Sequence, residues 1–560
     1  MEKFTKRLLS LALVVVMVFS MLPDFSFAVG AQTEPQSEPQ TQSEPDFTSD
    51  LVWIGDEANH RAVCPIHGEV TWTQVTAEGT VMSASSHYYL PDNVDATTTY
   101  AVVTNWRQAN ICLHLNGHRL TSTNKCAIQA NEAGTLNIMG SGEVSGKGWM
   151  GTLYVSNASA VVNIYGGTFI KNSADTAYPV INLTATGGTV HMYGGQVATE
   201  GSTLQATSAA IWLQGGAFTL HDGTIYGITG QNAGSVLVKS GATLTVNGGR
   251  ITGGKVGATN LDVKVETGGT LTNNTYVDVI DAVSFADDAY VYTAKCRHCD
   301  APKTWTIQAG SPGAVTDSRH ILGKQDLTNP WAHMQVNTNG SVCWALNGKT
   351  TKSGRKIRMY SGSLAIMGTG RVIGYDSANS NATETIGTIV VEYNGQLYLY
   401  GGTYETENAK PALLVSGTGS ATNVVIHEGV EFVNNGTAAN VVEISKDVAV
   451  SITGAKVNGT MAVTVAQTKL TLAGKTEIDN LSLVAGSTLD VTGLIEGSDI
   501  KLTAPDGVFT TAFADTEDGT AAENAARVAG YFSIYNGDGT KEISADSENK
   551  LKQALVSASE

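Results

Sequence analysis

The chain has 560 residues, 61 of them glycine, and a net charge of −17 with only 15% of its residues charged. This acidic balance, with no basic patch in the sequence, argues against nucleic acid and anionic lipid surfaces as partners. The length is too great for one compact domain, and the many glycine, threonine and valine residues with few helical patterns favour an all-β solenoid or two all-β domains.

The first 28 residues have the organisation of a secretory signal peptide. Lys3, Lys6 and Arg7 precede the apolar run 8–22, and Ala28 offers a small residue for cleavage. This order predicts export, removal of the segment and a secreted mature protein. No later stretch is apolar enough to span a membrane, so we expect no membrane partner for the mature form. The alternative is an N-terminal anchor that is retained.

A polar tract follows the predicted signal peptide. Residues 29–50 are rich in proline, glutamine, glutamate and serine and contain little that could be buried. We therefore predict a disordered linker over 29–50.

The rest of the chain contains a tandem duplication. Matching features recur in the same order at an offset of 228 to 233 residues: Cys64 and Cys296, Trp72 and Trp305, His87 and His320, Cys112 and Cys343, and the stretches 134–146 and 362–374. The offset predicts two equivalent segments, 51–290 and 291–515, each with a Cys/His opening element.

Within each segment a glycine follows an alternating apolar strand at regular intervals. The intervals are 25 to 29 residues in the first segment and fall from 33 to 19 in the second, the glycines being Gly140, Gly166, Gly194, Gly223 and Gly248, then Gly368, Gly401, Gly429, Gly454, Gly474 and Gly493. Strands with one apolar face must stack to bury it, and glycine permits the positive φ of a sharp corner. This pattern predicts a right-handed parallel β-helix, with residues 516–560 capping its open end.

The openings of the two segments share a further likeness. The stretches HYYL (87–90), CLHLNGH (112–118) and GTLNIMG (134–140) resemble those of right-handed, pectate-lyase-like β-helix surface proteins exported by Gram-positive gut bacteria. The resemblance covers most of residues 60–515. It implies the β-helix fold and a surface location, and it carries no biochemical role.

A column of residues at the corners should run along the solenoid. It comprises Met139, Tyr165, Tyr193, His221 and Asn247 in the first segment and Met367, Tyr400, His427 and Thr453 in the second. Aromatic faces with polar tips suit sugar rings, so Tyr165, Tyr193, His221, Tyr400 and His427 are candidate glycan contacts. The alternative is a stacking ladder that only holds the coils in register.

The cysteines form two sets with histidine. Cys64, His67, His87 and Cys112 correspond to Cys296, Cys299, His320 and Cys343. Histidine and cysteine can replace each other as zinc ligands, so the sets predict two structural zinc sites with no open position. Cys64–Cys112 and Cys296–Cys343 disulfides, or buried free thiols, are the alternatives. Cys126 has no counterpart and is predicted to lie in the core.

Catalysis is disfavoured by the distribution of carboxylates. Glycoside hydrolysis needs two carboxyl groups that converge on the scissile bond, but along the predicted coils Asp and Glu are scattered singly. The adjacent pair Asp287-Asp288 lies in a connector, where a solvated turn is expected. We predict an adhesin-like, glycan-binding or structural module without catalysis, whose partner is a polysaccharide or a host or cell-wall glycan. The alternative is a polysaccharide lyase or glycoside hydrolase of the pectin-lyase-like superfamily.

Overall fold

The computed structural model describes residues 46–556, apart from 77–79, 83–85, 98–101, 104–108, 149, 172–177, 201–208, 231–233, 287–291, 308–309, 329–332, 355–356, 376–387 and 538. The predicted signal peptide, most of the predicted linker and the Asp287-Asp288 pair lie outside the described residues. About 50% of the structure is β-strand and about 3% is helix, which confirms the all-β prediction.

The first segment consists of short strands and two 3-10 helices, at Glu57–Asn59 and Val277–Val279. Its strands are β1 (Arg61–Cys64), β2 (Gly68–Gln74), β3 (Thr80–Val81), β4 (His87–Tyr89), β5 (Val94–Ala96), β6 (Val102–Val103), β7 (Ala109–His114), β8 (Arg119–Ser122), β9 (Ile128–Ala130), β10 (Gly134–Met139), β11 (Glu143–Gly146), β12 (Leu153–Val155), β13 (Ala160–Ile164), β14 (Thr168–Lys171), β15 (Ile181–Leu183), β16 (Thr189–Met192), β17 (Gln196–Val197), β18 (Ile211–Leu213), β19 (Ala217–Leu220), β20 (Thr224–Tyr226), β21 (Thr229–Gly230), β22 (Val236–Val238), β23 (Thr243–Val246), β24 (Arg250–Thr252), β25 (Lys255–Val256), β26 (Thr259–Asn260), β27 (Val263–Val265), β28 (Thr270–Asn273) and β29 (Val283–Phe285).

The second segment and the C-terminal part also consist mainly of short strands. Their strands are β30 (Tyr292–Cys296), β31 (Ala301–Ile307), β32 (Gly313–Val315), β33 (Ser318–Leu322), β34 (Met334–Val336), β35 (Ser341–Ala345), β36 (Thr350–Ser353), β37 (Ile357–Met359), β38 (Ser363–Met367), β39 (Arg371–Gly374), β40 (Ile389–Val391), β41 (Gln396–Leu399), β42 (Gly402–Thr406), β43 (Leu413–Val415), β44 (Asn423–Ile426), β45 (Val430–Asn434), β46 (Val442–Ile444), β47 (Ala449–Thr453), β48 (Lys456–Val463), β49 (Leu470–Gly474), β50 (Glu477–Ser482), β51 (Asp490–Leu494), β52 (Asp499–Thr503), β53 (Gly507–Val508), β54 (Phe532–Ile534), β55 (Lys541–Ala545) and β56 (Leu551–Leu555). One helix, α1 (Ala521–Ala529), precedes β54.

These strands stack into a parallel β-solenoid of about 14 turns. In the first segment the sheets run β2-β4-β7-β10-β13-β16-β19-β23-β28, β24-β20-β17-β14-β11-β8-β5 and β29-β27-β22-β18-β15-β12-β9-β6-β3. In the second, one sheet runs β31-β33-β35-β38-β41-β44-β47-β49-β51, and the long strand β48 joins the other two faces into one sheet. Each segment opens with an antiparallel hairpin, β1–β2 or β30–β31. The prediction of a duplicated parallel β-helix is confirmed.

The solenoid's interior is a set of apolar columns in register. Ile138, Ile164, Met192, Leu220 and Val246 pair one above another on successive coils. All five side chains are fully buried. Burying an aliphatic side chain of this size contributes roughly 1.5–3 kcal/mol, so the stacked columns supply much of the stability that no single coil could reach.

Where a glycine pair follows a strand, as at Gly194 and Gly195, the close approach of the neighbouring coil requires it. A Cβ on Gly194 would lie 2.5 Å from the Tyr165 carbonyl oxygen of the preceding coil. Gly195 has a φ of +77°, and a Cβ there would lie 2.5 Å from the Gly167 carbonyl oxygen. Any larger side chain would therefore meet backbone atoms, and the second position also disfavours an L residue because of its φ.

The C-terminal part covers the last coils. A capping box formed by Thr520 and Glu523 starts α1, and Ala525 and Val528 are buried against the core of the second segment. The antiparallel strands β53, β56 and β55 follow, with Leu551 in the same core. Among the described residues, no helix is long and apolar enough to cross a membrane.

Candidate metal centres and aromatic stacks

Each Cys/His set converges at the opening hairpin of its segment. Cys64 ends β1, and its carbonyl accepts a hydrogen bond of 3.2 Å from the His67 amide in the turn to β2. His87 on β4 pairs in register with Cys112 on β7. The hairpin therefore supplies two donors and the next two coils supply one each, and the four donor atoms lie within 4.8 Å of one another.

The separations in the first set match those of a tetrahedral metal site. The Sγ atoms of Cys64 and Cys112 are 3.9 Å apart, and each lies 3.5 Å from His67 Nδ1. His67 Nδ1 lies 3.0 Å from His87 Nε2. Tetrahedral zinc, with Zn–S near 2.3 Å and Zn–N near 2.0–2.1 Å, needs edges of about 3.8 Å for S···S, 3.5 Å for S···N and 3.3 Å for N···N.

The second set repeats this geometry with one histidine replaced by cysteine. Cys299 Sγ lies 3.9 Å from Cys343 Sγ and 3.5 Å from His320 Nε2. With Cys296, these four donor atoms are also within 4.8 Å of one another. The two clusters could each hold a metal ion, with three thiolates in the second and two in the first.

The cysteines of both clusters are free thiols in the structure, as is Cys126. A disulfide requires an S–S distance of about 2.05 Å, well below the 3.9 Å between Cys64 and Cys112. Cys126 is buried beside Met150 and Tyr154, away from both clusters. The donors thus have the spacing of ligands around an ion rather than that of a covalent pair.

Close pairing of two thiols moves their pKa values in opposite directions. The hydrogen bond from Cys112 lowers the pKa of Cys64, and this interaction outweighs the burial that opposes it. The hydrogen bond from Cys343 lowers the pKa of Cys296 in the same way. Interaction with these thiolates and burial raise the pKa of Cys112 and Cys343. A bound cation would allow both thiols of each pair to ionise.

A buried tryptophan supports each cluster. Trp72 and Trp305 are both almost fully buried. The Trp72 ring meets His87 edge-on with centroids 5.2 Å apart, and Trp305 meets His320 at 5.1 Å. The indoles therefore form the floor that orients one histidine ligand of each site.

The corner column of the first segment is a continuous stack of rings. Tyr165 and Tyr193 lie 4.9 Å apart at an interplanar angle of 10°, and Tyr193 and His221 lie 4.3 Å apart at 9°. Phe47 covers the other face of Tyr165 at 4.3 Å and 11°. Beyond His221 the column continues with Asn247 and Asn274, whose side-chain amides are joined by a hydrogen bond.

This stacking leaves little room for a sugar on the first segment's rings. Both faces of Tyr165 and both faces of Tyr193 meet a neighbouring residue of the column, so these rings expose mainly their edges. Met139, at the start of the column, is fully buried. In the second segment Tyr400 stacks on His427 at 4.4 Å and 10°. In the described part of the chain, no second ring stacks on Tyr400.

Two members of the first stack are not evident from the sequence. Phe47 lies within the predicted linker, yet it packs on Tyr165, and Asp50 accepts a 2.7 Å hydrogen bond from Ser141. His191, on the strand before the corner, lies 3.3 Å from His221 between ring nitrogens. The only feature of the sequence that indicated packing of Phe47 on the solenoid was its aromatic side chain near the end of an otherwise polar tract.

The histidine pair predicts a pH-dependent stability. Burial lowers the pKa of both His191 and His221, and the neighbouring charge of His221 lowers the pKa of His191 further. The neutral rings therefore stabilise the fold above the ordinary histidine pKa of about 6.5, and this contribution is lost as the pH falls through the lower folded-state pKa. We expect the melting temperature of the unmodified protein to fall more between pH 7 and pH 5 than that of His221→Asn.

The measurement is thermal unfolding by circular dichroism at both pH values. Asparagine already occupies the next position of the column, at Asn247, so the variant keeps the shape of the surface. Acid effects on the Cys/His clusters are common to both proteins and cancel in the comparison. Equal losses for the two proteins would contradict the prediction.

The chain matches no known protein-family model, and no curated protein is significantly similar to it. The parallel solenoid is thus established by the structure. No match supports the resemblance to exported, pectate-lyase-like β-helix proteins of gut bacteria, and the surface location stays a prediction.

Proposed function

We propose that the protein is a secreted, cell-surface-associated solenoid that acts as an adhesin-like, glycan-binding or structural module without catalysis. The observation that carries this proposal is that side chains on the outside of the coils pair with side chains of neighbouring coils. Rings stack on rings, as in the column from Phe47 to His221, and amides bond to amides, as between Asn137 and Asn163 at 2.8 Å. Groups held in this way maintain a rigid surface.

Two carboxylates of the second segment, Glu405 and Glu392, are likewise paired with side chains of neighbouring coils. Glu405 is nearly buried and accepts a 2.6 Å hydrogen bond from Arg371 Nη2 and one of 3.0 Å from Asn435. Glu392 is paired with Arg358 one coil away. A glycosidase needs one carboxyl group kept protonated and a second facing it across the bond. Carboxylates neutralised by arginine favour a binding or structural role over hydrolysis.

We further propose that both Cys/His clusters hold structural zinc. Each set offers four protein ligands, which fills a tetrahedral zinc site and leaves no position for a substrate or an activated water. The metal would join the opening hairpin to the next two coils, where a solenoid needs its first coils covered. Soft thiolate and imidazole donors also favour zinc over calcium or magnesium.

The test is to mix the purified protein with mucin, plant-wall and bacterial-wall polysaccharides. We expect depletion of the protein from solution without new reducing ends or unsaturated sugars, because binding without cleavage is proposed. The release of products would establish the lyase or hydrolase alternative instead. If neither depletion nor products are observed, the remaining candidate is a purely structural envelope protein, for which self-association or wall attachment is expected.

A further inference from the structure

Two short segments cross the corners of the solenoid in corresponding places. The first comprises residues 47–51 and is attached by two hydrogen bonds. The Gly140 amide donates to the Phe47 carbonyl at 2.7 Å, and the Leu51 amide donates to Asn116 Oδ1 at 2.9 Å. We call it the first strap. It brings the ring of Phe47 onto Tyr165.

The second strap, residues 278–283, belongs to the connector between the segments. The Val283 amide donates to Asn347 Oδ1 at 2.6 Å, as Leu51 does to Asn116. A Cβ on Gly368, the counterpart of Gly140, would lie 3.3 Å from the Cβ of Asp278. The straps therefore dock in the same way on equivalent corners.

The straps differ at the position that covers the tyrosine. Where the first strap carries Phe47, the second carries Asp278 and Val279, neither of which has a ring. Tyr400 corresponds to Tyr165, since their amides donate to Ile366 and Ile138 of the preceding coils. The face of Tyr400 that corresponds to the Phe47-covered face of Tyr165 thus lacks an aromatic partner among the described residues.

A cleft of about 850 Å³ opens at this place between the end of the first segment and the corners of the second. Its volume falls within the range of roughly 300–1,000 Å³ that is common for small-molecule sites. Its lining includes the charged side chains of Arg250, Asp278, Asp281, Arg297 and Glu428, together with Tyr400.

The cleft's charged groups are nearly balanced and already ordered. Arg297 Nε lies 2.6 Å from Asp278 Oδ2, and its guanidinium lies over the Tyr276 ring at 4.6 Å. Arg250 lies 3.4 Å from Asp281. The two arginines and the three carboxylates of Asp278, Asp281 and Glu428 nearly cancel, so the cleft favours neither a highly charged anionic ligand nor a cationic one. Such a mixture suits hydroxyl groups, which both donate and accept hydrogen bonds.

Asp278 has an unmet hydrogen-bonding requirement. Its side chain is only 7% exposed, and its Oδ1 has no hydrogen-bond partner among the residues that the structure describes, although Oδ2 is paired with Arg297. Leaving a buried acceptor unsatisfied costs about 1–3 kcal/mol, and more when it is charged. Oδ1 is covered in the absence of a ligand, and a ligand hydroxyl that reached it through a shift of the Asp278 side chain would recover that free energy.

We propose that this cleft binds a pyranose unit of a neutral glycan, with the sugar ring against Tyr400, on the side that no aromatic ring covers, and its hydroxyls bonded to Asp278, Arg297 and Arg250. The sugar occupies the place that Phe47 fills in the first segment. The site rests on the glycan-binding role proposed above and assigns it to one location. It also explains why the duplicated straps diverge at this residue.

The experiment measures the affinity of the full chain for neutral and uronate-containing oligosaccharides by isothermal titration calorimetry. We expect a neutral oligosaccharide to bind and Tyr400→Ala to weaken it about tenfold or more, equivalent to 1.4 kcal/mol. Tyr400→Phe keeps the ring and should bind within about twofold of the unchanged protein. Tyr393→Ala removes an exposed tyrosine outside the cleft and should leave the affinity unchanged.

The outcomes separate this site from the general function. Neutral glycan binding that survives Tyr400→Ala would overturn the site while leaving the glycan-binding role in place. Binding confined to uronate polymers would overturn the choice of a neutral sugar. Failure to bind any glycan in the panel would refute both this site and the glycan-binding role, and the structural role alone would remain. Melting temperatures of the three variants show whether a loss of affinity reflects unfolding.

Discussion

Replacement of Cys112 by serine is expected to reduce the bound zinc from two ions to one per chain and to lower the stability of the opening coils. Cys112 lies on β7, and its Sγ is 3.9 Å from Cys64 Sγ in the first cluster. Metal that binds only the folded state stabilises it, by about 2.7 kcal/mol when free zinc is 100-fold above its dissociation constant. The loss of one site should remove about that amount.

The measurement combines metal analysis of the purified protein with thermal unfolding in the presence and absence of a chelator. Cys126→Ala is the matched control, because Cys126 is buried but belongs to neither cluster. It should retain two zinc ions and the full response to chelator. A native protein that contains no zinc, with equal chelator responses in all three proteins, would refute the metal sites.

Replacement of Gly195 by alanine is expected to destabilise the solenoid by about 2–5 kcal/mol, in the upper part of the range for point substitutions. Its φ of +77° is unfavourable for alanine by roughly 1–2 kcal/mol. The new Cβ would also lie 2.5 Å from the Gly167 carbonyl oxygen and 2.9 Å from the Gly166 carbonyl carbon. The neighbouring coil would have to move, and overpacking of this kind adds about 1–3 kcal/mol.

Gly241→Ala isolates the backbone contribution, so its comparison with Gly195→Ala measures the steric one. Gly241 has a φ of +78°, almost the same as that of Gly195, but nothing lies within 4 Å of the position that its Cβ would occupy. It should therefore lose only about 1–2 kcal/mol for the backbone conformation. Urea unfolding curves of both variants provide the comparison. Equal losses would show that coil-to-coil contact at the glycine pair contributes nothing.

The local features of the fold were predictable because they depend on short-range periodicity. Alternation at Val162 and Ile164 or at Val190 and Met192 marks one buried face, and these residues are fully buried. The glycines that follow mark corners for steric reasons that hold in any context. The offset of the two segments likewise located both Cys/His sets, since equivalent residues of a duplication occupy equivalent places.

The role of the aromatic column could not be predicted from the same pattern. Tyr165 and Tyr400 occupy equivalent corners, but whether a ring face is available depends on what packs against it. Phe47 is more than 100 residues from Tyr165 in the sequence and was expected to lie in a linker. Its docking, and the presence of Asp278 and Val279 on the second strap, are consequences of packing between segments that are remote along the chain.

The sequence by itself determined the all-β class, the duplication, the corner glycines and the membership of the two Cys/His sets. Each of these follows from spacing along the chain, and spacing is preserved when coils stack in register. Only the tertiary structure decided that the cysteines stand apart as thiols, that the first segment's rings cover one another and that a cleft lies over Tyr400. Those features depend on distances of a few ångströms between coils and straps, which arise only when the solenoid is assembled.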